Sequence, residues 1–73
     1  MILKNTLKEL RNQRDYTQEA LAGRVGVTRQ TIIAIEKAKF VPSVKLALEI
    51  AAALAVPITD VFRLEADEGD KNG

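Results

Sequence analysis

The sequence contains no cysteine and no histidine. The missing thiols exclude disulfide bonds and thiolate zinc sites, and the missing imidazoles exclude every catalytic arrangement that needs a histidine base. We therefore expect neither an enzyme activity nor a metal or other cofactor. The 73 residues, 47% hydrophobic and 29% charged, have the composition of one small soluble domain.

The sequence also has no long hydrophobic run. No apolar segment approaches the roughly 20 residues that span a bilayer, and the first residues lack the basic start and apolar run of a signal peptide. We expect a cytoplasmic protein without a membrane partner. A lone core in so small a domain contributes roughly 3–5 kcal/mol, so self-association is the expected source of further stability.

Charge is distributed unevenly along the chain. Residues 1–46 contain nine Lys or Arg and four Asp or Glu, whereas residues 47–73 contain two and six, although the net charge is only +1. A basic half favours a polyanionic partner such as nucleic acid. An ordinary solvated surface is the alternative explanation of this feature taken alone.

The spacing of apolar residues predicts five helices. The first is predicted over about residues 4–14, where Leu3, Leu7 and Leu10 recur at helical spacing. The next three are each preceded by a hydroxyl residue, whose side chain can accept a backbone N–H of the first turn. These residues are Thr17, Thr28 and Ser43. The predicted ends are near residues 24, 37 and 56, and a short fifth helix is predicted over about 59–62.

The second and third predicted helices are separated by only four residues, 25–28. Ala22 is small where the helices would cross, and Gly26 can adopt the left-handed conformation of a sharp turn. Larger apolar residues would seal the crossing: Leu21, Val25, Ile32 and Ile35. This pattern predicts a helix-turn-helix over about 17–37, in a domain over 1–66 followed by a disordered charged tail over 67–73.

Several segments together resemble the Cro/phage-repressor family of DNA-binding domains, also called the xenobiotic-response-element (XRE) family. These segments are TQEALA at 17–22, GVTRQTI at 26–32, AIE at 34–36, PS at 42–43 and LALEIA at 46–51. The resemblance covers residues 4–62 and is greatest to short stand-alone bacterial regulators such as the cytolysin repressor. It implies a compact all-α, lambda-repressor-like fold that binds double-stranded DNA as a homodimer in a bacterial or archaeal cell.

The resemblance also implies which residues contact DNA. In this family the third helix lies in the major groove, and its base-facing positions correspond to Thr28, Arg29, Gln30, Ile33 and Ala34. The chemistry agrees, because Arg fits guanine, Gln fits adenine, and Ala or Ile can touch a thymine methyl. Phosphate contacts are expected from Thr17, Gln18, Lys37, Lys39 and Lys45. Gln18 matches a family glutamine that also braces the recognition helix. A solvated helix face is the alternative for Arg29 and Gln30.

Three positions depart from the family pattern. Ile33 stands where related sequences often carry a polar residue such as Asn. Lys37–Ala38–Lys39 stands where many members carry Asn-Gly-Lys, so either Ala38 adopts a left-handed conformation at a cost of roughly 1 kcal/mol or the turn is built differently. Asp15 also stands where glycine is usual. Arg11 and Glu36, in contrast, match a family pair that links the first and third helices, and we expect them to form a salt bridge.

We predict a sequence-specific transcriptional regulator, a repressor, that binds a nearly palindromic operator as a homodimer. A short strand over 62–65 would pair either across the two-fold axis or with the N-terminus. The predicted interface residues are Val61, Phe62, Leu64 and Ile2. No small-molecule ligand is evident. The alternative function is a protein-interaction module, an antitoxin or adaptor, in which Ile33 and Ala34 contact a protein.

Overall fold

The computed structural model describes residues 1–67. Within this range the elements are, in order, β1 (Ile2–Asn5), α1 (Leu7–Gln13), α2 (Gln18–Val25), α3 (Arg29–Glu36), α4 (Val44–Leu54), α5 (Ile58–Val61) and β2 (Phe62–Glu65). The predicted five-helix fold is confirmed. The tail predicted to be disordered lies, apart from Asp67, outside the described residues. No helix within residues 1–67 has the length and hydropathy needed to cross a membrane.

The N-terminal segment differs from the prediction. Helix α1 begins at Leu7 rather than near residue 4, because residues 2–5 form strand β1. This strand pairs with β2 in antiparallel register, with Ile2 opposite Glu65, Leu3 opposite Leu64, Lys4 opposite Arg63 and Asn5 opposite Phe62. The strand predicted over 62–65 is confirmed, and of its two possible partners the structure has the N-terminus of the same chain.

Hydroxyl side chains begin three helices, as predicted. Thr17 Oγ1 accepts the backbone N–H of Ala20 at 2.9 Å, at the start of α2. Thr28 Oγ1 accepts the N–H of Thr31 at the start of α3. Ser43 Oγ accepts the N–H of Leu46 at 3.1 Å, at the start of α4. Each cap satisfies a backbone donor that the first turn cannot pair, which typically contributes about 1 kcal/mol.

The core lies where α1, α2, α3, α4 and α5 meet. Its buried apolar residues are Leu7, Leu21, Ala22, Val25, Ile32, Ile35, Ile50, Ala51, Leu54 and Val61. Leu3, Leu10 and Leu46, whose helical spacing also favours the core, are half-buried instead. Burying one such Leu or Ile side chain contributes about 1.5–3 kcal/mol. Val61 is 1% exposed within a single chain, so its predicted place in a dimer interface is wrong.

Among residues 1–67, three residues other than glycine have a left-handed backbone. They are Asp15, Ala38 and Ala55, with φ of 59°, 59° and 58°. Ala38 follows Lys37, the C-cap of α3. Of the two alternatives given for this turn, the structure therefore has the left-handed alanine. Ala55 ends α4 at Leu54, before Pro57 can do so. Each left-handed alanine costs roughly 1–2 kcal/mol that a glycine would not.

Candidate nucleic-acid interface

Helices α2 and α3 form the predicted helix-turn-helix. Gly26, with φ of 75°, ends α2, and the N–H of Val27 donates to the carbonyl of Ala22 at 3.0 Å. Ala22 is 2% exposed, so its small side chain permits the close crossing. Ile32 and Ile35 bury one face of α3 against this crossing. The opposite face of α3 is consequently turned away from the core.

The predicted base-facing residues lie together on that opposite face. Thr28, Arg29 and Gln30 are exposed, and Ile33 and Ala34, one turn later, are half-buried. Guanidinium and carboxamide groups provide the paired donors and acceptors that base edges in a major groove match. The apolar pair behind them offers a surface for a thymine methyl group.

A buried salt bridge fixes the C-terminal end of α3. Arg11 Nε lies 2.6 Å from Glu36 Oε2, and Nη2 lies 3.4 Å from Oε1, so the contact is two-pronged. The side chains are 9% and 6% exposed. Arg11 also donates to the carbonyl of Tyr16 at 2.8 Å. The expected pair is therefore confirmed, and because desolvation offsets much of its attraction, its main effect is to orient α3.

Gln18 joins this salt bridge and so braces the recognition helix, as the resemblance implies. Its Nε2 donates to Glu36 Oε1 at 3.1 Å, from the first turn of α2. The contact holds the carboxamide in one place and uses one of its two N–H groups. The second N–H is the group that could donate to a phosphate oxygen.

An open cavity of about 360 Å³ lies beside this network. It is lined by Arg11, Thr17, Gln18, Glu19 and Arg29. The cavity brings together Thr17 and Gln18, both expected to contact phosphate, with Arg29 of the base-facing set. The N-terminus of α2 adds partial positive charge here, and Glu19 adds negative charge that opposes an anion.

The three lysines expected to contact phosphates are all exposed, but their settings differ. Lys37 caps the end of α3, and Lys39 follows the left-handed turn at Ala38. Lys45 lies on α4, and its Nζ is 3.4 Å from Glu49 Oε1. Binding a phosphate would therefore compete with an existing partner at Lys45, whereas within residues 1–67 no salt bridge involves Lys37 or Lys39.

Exposed apolar residues occur in two places. At the sheet, Ile2 is 40% and Leu64 61% exposed, whereas Phe62 is half-buried. The second place was missed in the sequence and extends from the α3–α4 turn onto α4. We call it the 40–48 patch, and it consists of Phe40, Val41, Val44 and Leu48, which are 47–75% exposed. Val44 and Leu48 are one turn apart on α4 and lie outside the apolar stripe of that helix, residues 46, 47, 50, 51 and 54. Apolar residues outside this stripe are the sequence signal by which the patch could have been found.

Comparison with known proteins gives a consistent result. A sequence model of the helix-turn-helix family matches residues 7–61. An uncharacterised HTH-type transcriptional regulator of Methanocaldococcus jannaschii is 54% identical over 66 residues, which are 90% of this chain and 100% of that protein. The HTH-type regulator YgzD of Bacillus subtilis, also uncharacterised, is 52% identical over 65 residues, or 89% and 98% of the two chains.

A solved structure is similar as well. It is the restriction-modification controller protein C.AhdI from Aeromonas hydrophila, with a TM-score of 0.70 and 30% sequence identity. The match covers 74% of this chain and 78% of the controller protein. The similarity therefore extends over most of both chains rather than over the two-helix motif alone.

Proposed function

This chain belongs to the XRE-type helix-turn-helix family of DNA-binding transcriptional regulators, and from that premise we propose that it is a repressor that binds a nearly palindromic operator as a homodimer. The observation that carries the proposal is the outward face of α3. It presents Arg29 and Gln30 to solvent while its inner face is locked to the core. Each protomer would lay this recognition helix, residues 28–37, in one major groove.

Base preference would come from five residues of the outward face. Thr28, Arg29 and Gln30 are at its exposed start, and Ile33 and Ala34 follow. A well-placed bidentate side chain contributes about 1–3 kcal/mol of discrimination against a wrong base. Because Ile33 and Ala34 are half-buried, we assign them contacts with thymine methyl groups and assign hydrogen-bonded readout to Arg29 and Gln30.

Affinity would come from the phosphate-facing residues around that helix. Thr17 and Gln18 lie at the cavity beside α2, and Lys37, Lys39 and Lys45 lie at the far end of α3 and on α4. Each neutralised phosphate makes the slope of log affinity against log salt concentration more negative by about 0.9. We give Lys45 the smallest share because its ammonium already contacts Glu49.

A homodimer would set two recognition helices about one DNA turn, ~34 Å, apart. Its interface on our proposal includes Ile2, Phe62 and Leu64 of the terminal sheet. Leu64 is 61% exposed and lies on the same sheet face as Leu3 and Phe62, which are half-buried. The apolar surface of this face therefore extends from the two half-buried residues to an exposed one. A second copy of this surface would cover it.

Selection of bound duplexes from a random pool tests the proposal directly. We expect a nearly palindromic consensus with half-site centres about one helical turn apart. Arg29→Ala and Gln30→Ala should each relax preference at one position per half-site, with a loss of about 1–3 kcal/mol. Lys39→Ala is the matched control, because it should weaken all sequences alike. An asymmetric consensus, or Arg29→Ala and Gln30→Ala variants that select the wild-type site unchanged, would contradict it.

The 40–48 patch favours a second candidate function, a protein-interaction module such as an antitoxin or adaptor. Single exposed apolar residues are normal on a protein surface, whereas four large ones close together are typical of an interaction site. Ile33 and Ala34, which first suggested this function, are half-buried and offer less surface. Salt separates the two functions, because apolar association hardly changes between 50 and 200 mM salt whereas phosphate-driven binding falls steeply.

A further inference from the structure

Asn5 connects the terminal sheet to the end of the recognition helix. Its Nδ2 donates to the carbonyl oxygen of Ile35, in the last turn of α3, at 3.0 Å. Its Oδ1 accepts the backbone N–H of Leu7, at the start of α1, at 3.2 Å. Asn5 itself is the last residue of β1 and pairs with Phe62 of β2. One half-buried residue of the sheet therefore contacts both the first helix and the recognition helix through its carboxamide.

The Ile35 carbonyl belongs to the turn that follows α3. It also accepts the N–H of Ala38 at 2.9 Å, and the next N–H, of Lys39, donates to the carbonyl of Ala34 at 2.9 Å. These two bonds close the left-handed turn that directs Lys39. The amide of Asn5 thus meets α3 at the point from which a predicted phosphate contact extends.

The neighbouring residue, Thr6, hydrogen-bonds to α5 rather than to α3. The N–H of Thr6 donates to the carbonyl of Val61 at 2.9 Å, and its hydroxyl donates to the carbonyl of Asp60 at 2.6 Å. Both acceptors belong to α5. The adjacent side chains of Asn5 and Thr6 therefore bind different helices, the first the recognition helix and the second α5.

We propose that Asn5 is a positioning residue for DNA binding. It holds the C-terminal end of α3 and the Lys39 turn in their binding pose, and it makes that pose depend on the paired terminal sheet. The proposal rests on the proposed function of α3. Arg11 holds the adjacent residue, Glu36, which Gln18 of α2 also contacts. Within residues 1–67, the first eleven residues therefore supply two of the three side chains that hydrogen-bond to this end of the helix from elsewhere in the chain.

The variant Asn5→Asp tests this role. It retains the side-chain size and an oxygen for the N–H of Leu7, and a carboxylate is favourable at the start of α1. It removes the donor to Ile35 and sets a negative oxygen beside that carbonyl. We expect the Kd for the selected duplex to rise roughly tenfold. In the free protein, the amides of Ala38 and Lys39 should exchange faster with solvent.

Three control variants separate positioning from other effects. Thr6→Val breaks the hydroxyl bond to α5, and Gln13→Glu adds the same charge at the exposed end of α1. Both should keep the wild-type Kd within about twofold and keep the Ala38 and Lys39 amides protected, because within residues 1–67 no hydrogen bond joins Thr6 or the side chain of Gln13 to α3. In a Lys39→Ala background the effect of Asn5→Asp should shrink, since both changes act on one contact.

The outcomes distinguish this inference from the proposed function. Wild-type affinity of the Asn5→Asp variant, an equal loss in Thr6→Val or Gln13→Glu, or full additivity with Lys39→Ala would overturn the positioning role alone. If the wild-type chain selected no duplex, the proposed function would fail and this inference with it. Loss of affinity in Asn5→Asp alone, together with faster exchange at Ala38 and Lys39, would establish it.

Discussion

Replacing Ala38 by glycine should stabilise the protein. Ala38 has φ of 59°, and in this region an L side chain costs roughly 1–2 kcal/mol because Cβ approaches the following carbonyl oxygen. Glycine removes that cost but gives the unfolded chain more freedom, which returns about 0.4–1 kcal/mol. The net gain should be about 0.5–1 kcal/mol. In a domain of this size it corresponds to a rise in Tm of about 2–8 °C.

Two further alanines make this experiment discriminating. Ala55→Gly, with φ of 58°, should raise stability by a similar amount. Ala52 is exposed within α4, where glycine costs about 0.5–1 kcal/mol relative to alanine, so Ala52→Gly should lower stability. Urea and thermal unfolding followed by circular dichroism would measure all three. If Ala38→Gly destabilised the protein as Ala52→Gly does, the assignment of strain to this turn would be refuted.

Other predictions concern the salt bridge and the two exposed apolar surfaces. Glu36→Ala should destabilise the fold by about 3–5 kcal/mol in urea unfolding, because it leaves the Arg11 charge buried without its partner; a loss below 1 kcal/mol would mean that water replaces the carboxylate. Leu64→Glu should convert the proposed dimer to a monomer in sedimentation, whereas Val44→Glu in the 40–48 patch should not. The reverse result would move the dimer interface to that patch.

Residues that act locally were predictable from the sequence. Thr17, Thr28 and Ser43 begin helices because each hydroxyl needs only a donor three residues away. The family assignment, confirmed by the match over residues 7–61, followed from the joint spacing of caps, Gly26 and small Ala22. These features can be recognised in the sequence because the residues that form the turn and those that form the core pattern lie within a short stretch of chain.

Residues that act across the chain were not predictable in the same way. Leu3 fits the helical spacing of Leu7, and only pairing with Leu64 at the other end of the domain makes its segment a strand. The contact of Gln18 with Glu36 likewise depends on how α2 and α3 cross. Val61 shows the reverse error, since an apolar residue near the end of a domain can complete its own core instead of facing a partner.

The pairing of β1 with β2 also brings the two ends of the domain together. Ile2 lies opposite Glu65, and paired strands are only about 4.8 Å apart, so a short peptide could join the ends into a closed ring. New termini could then be opened in an exposed loop. Ring closure would restrict the unfolded chain while leaving the outward face of α3 untouched, so this small domain can be reinforced by backbone topology without altering a residue proposed to contact DNA.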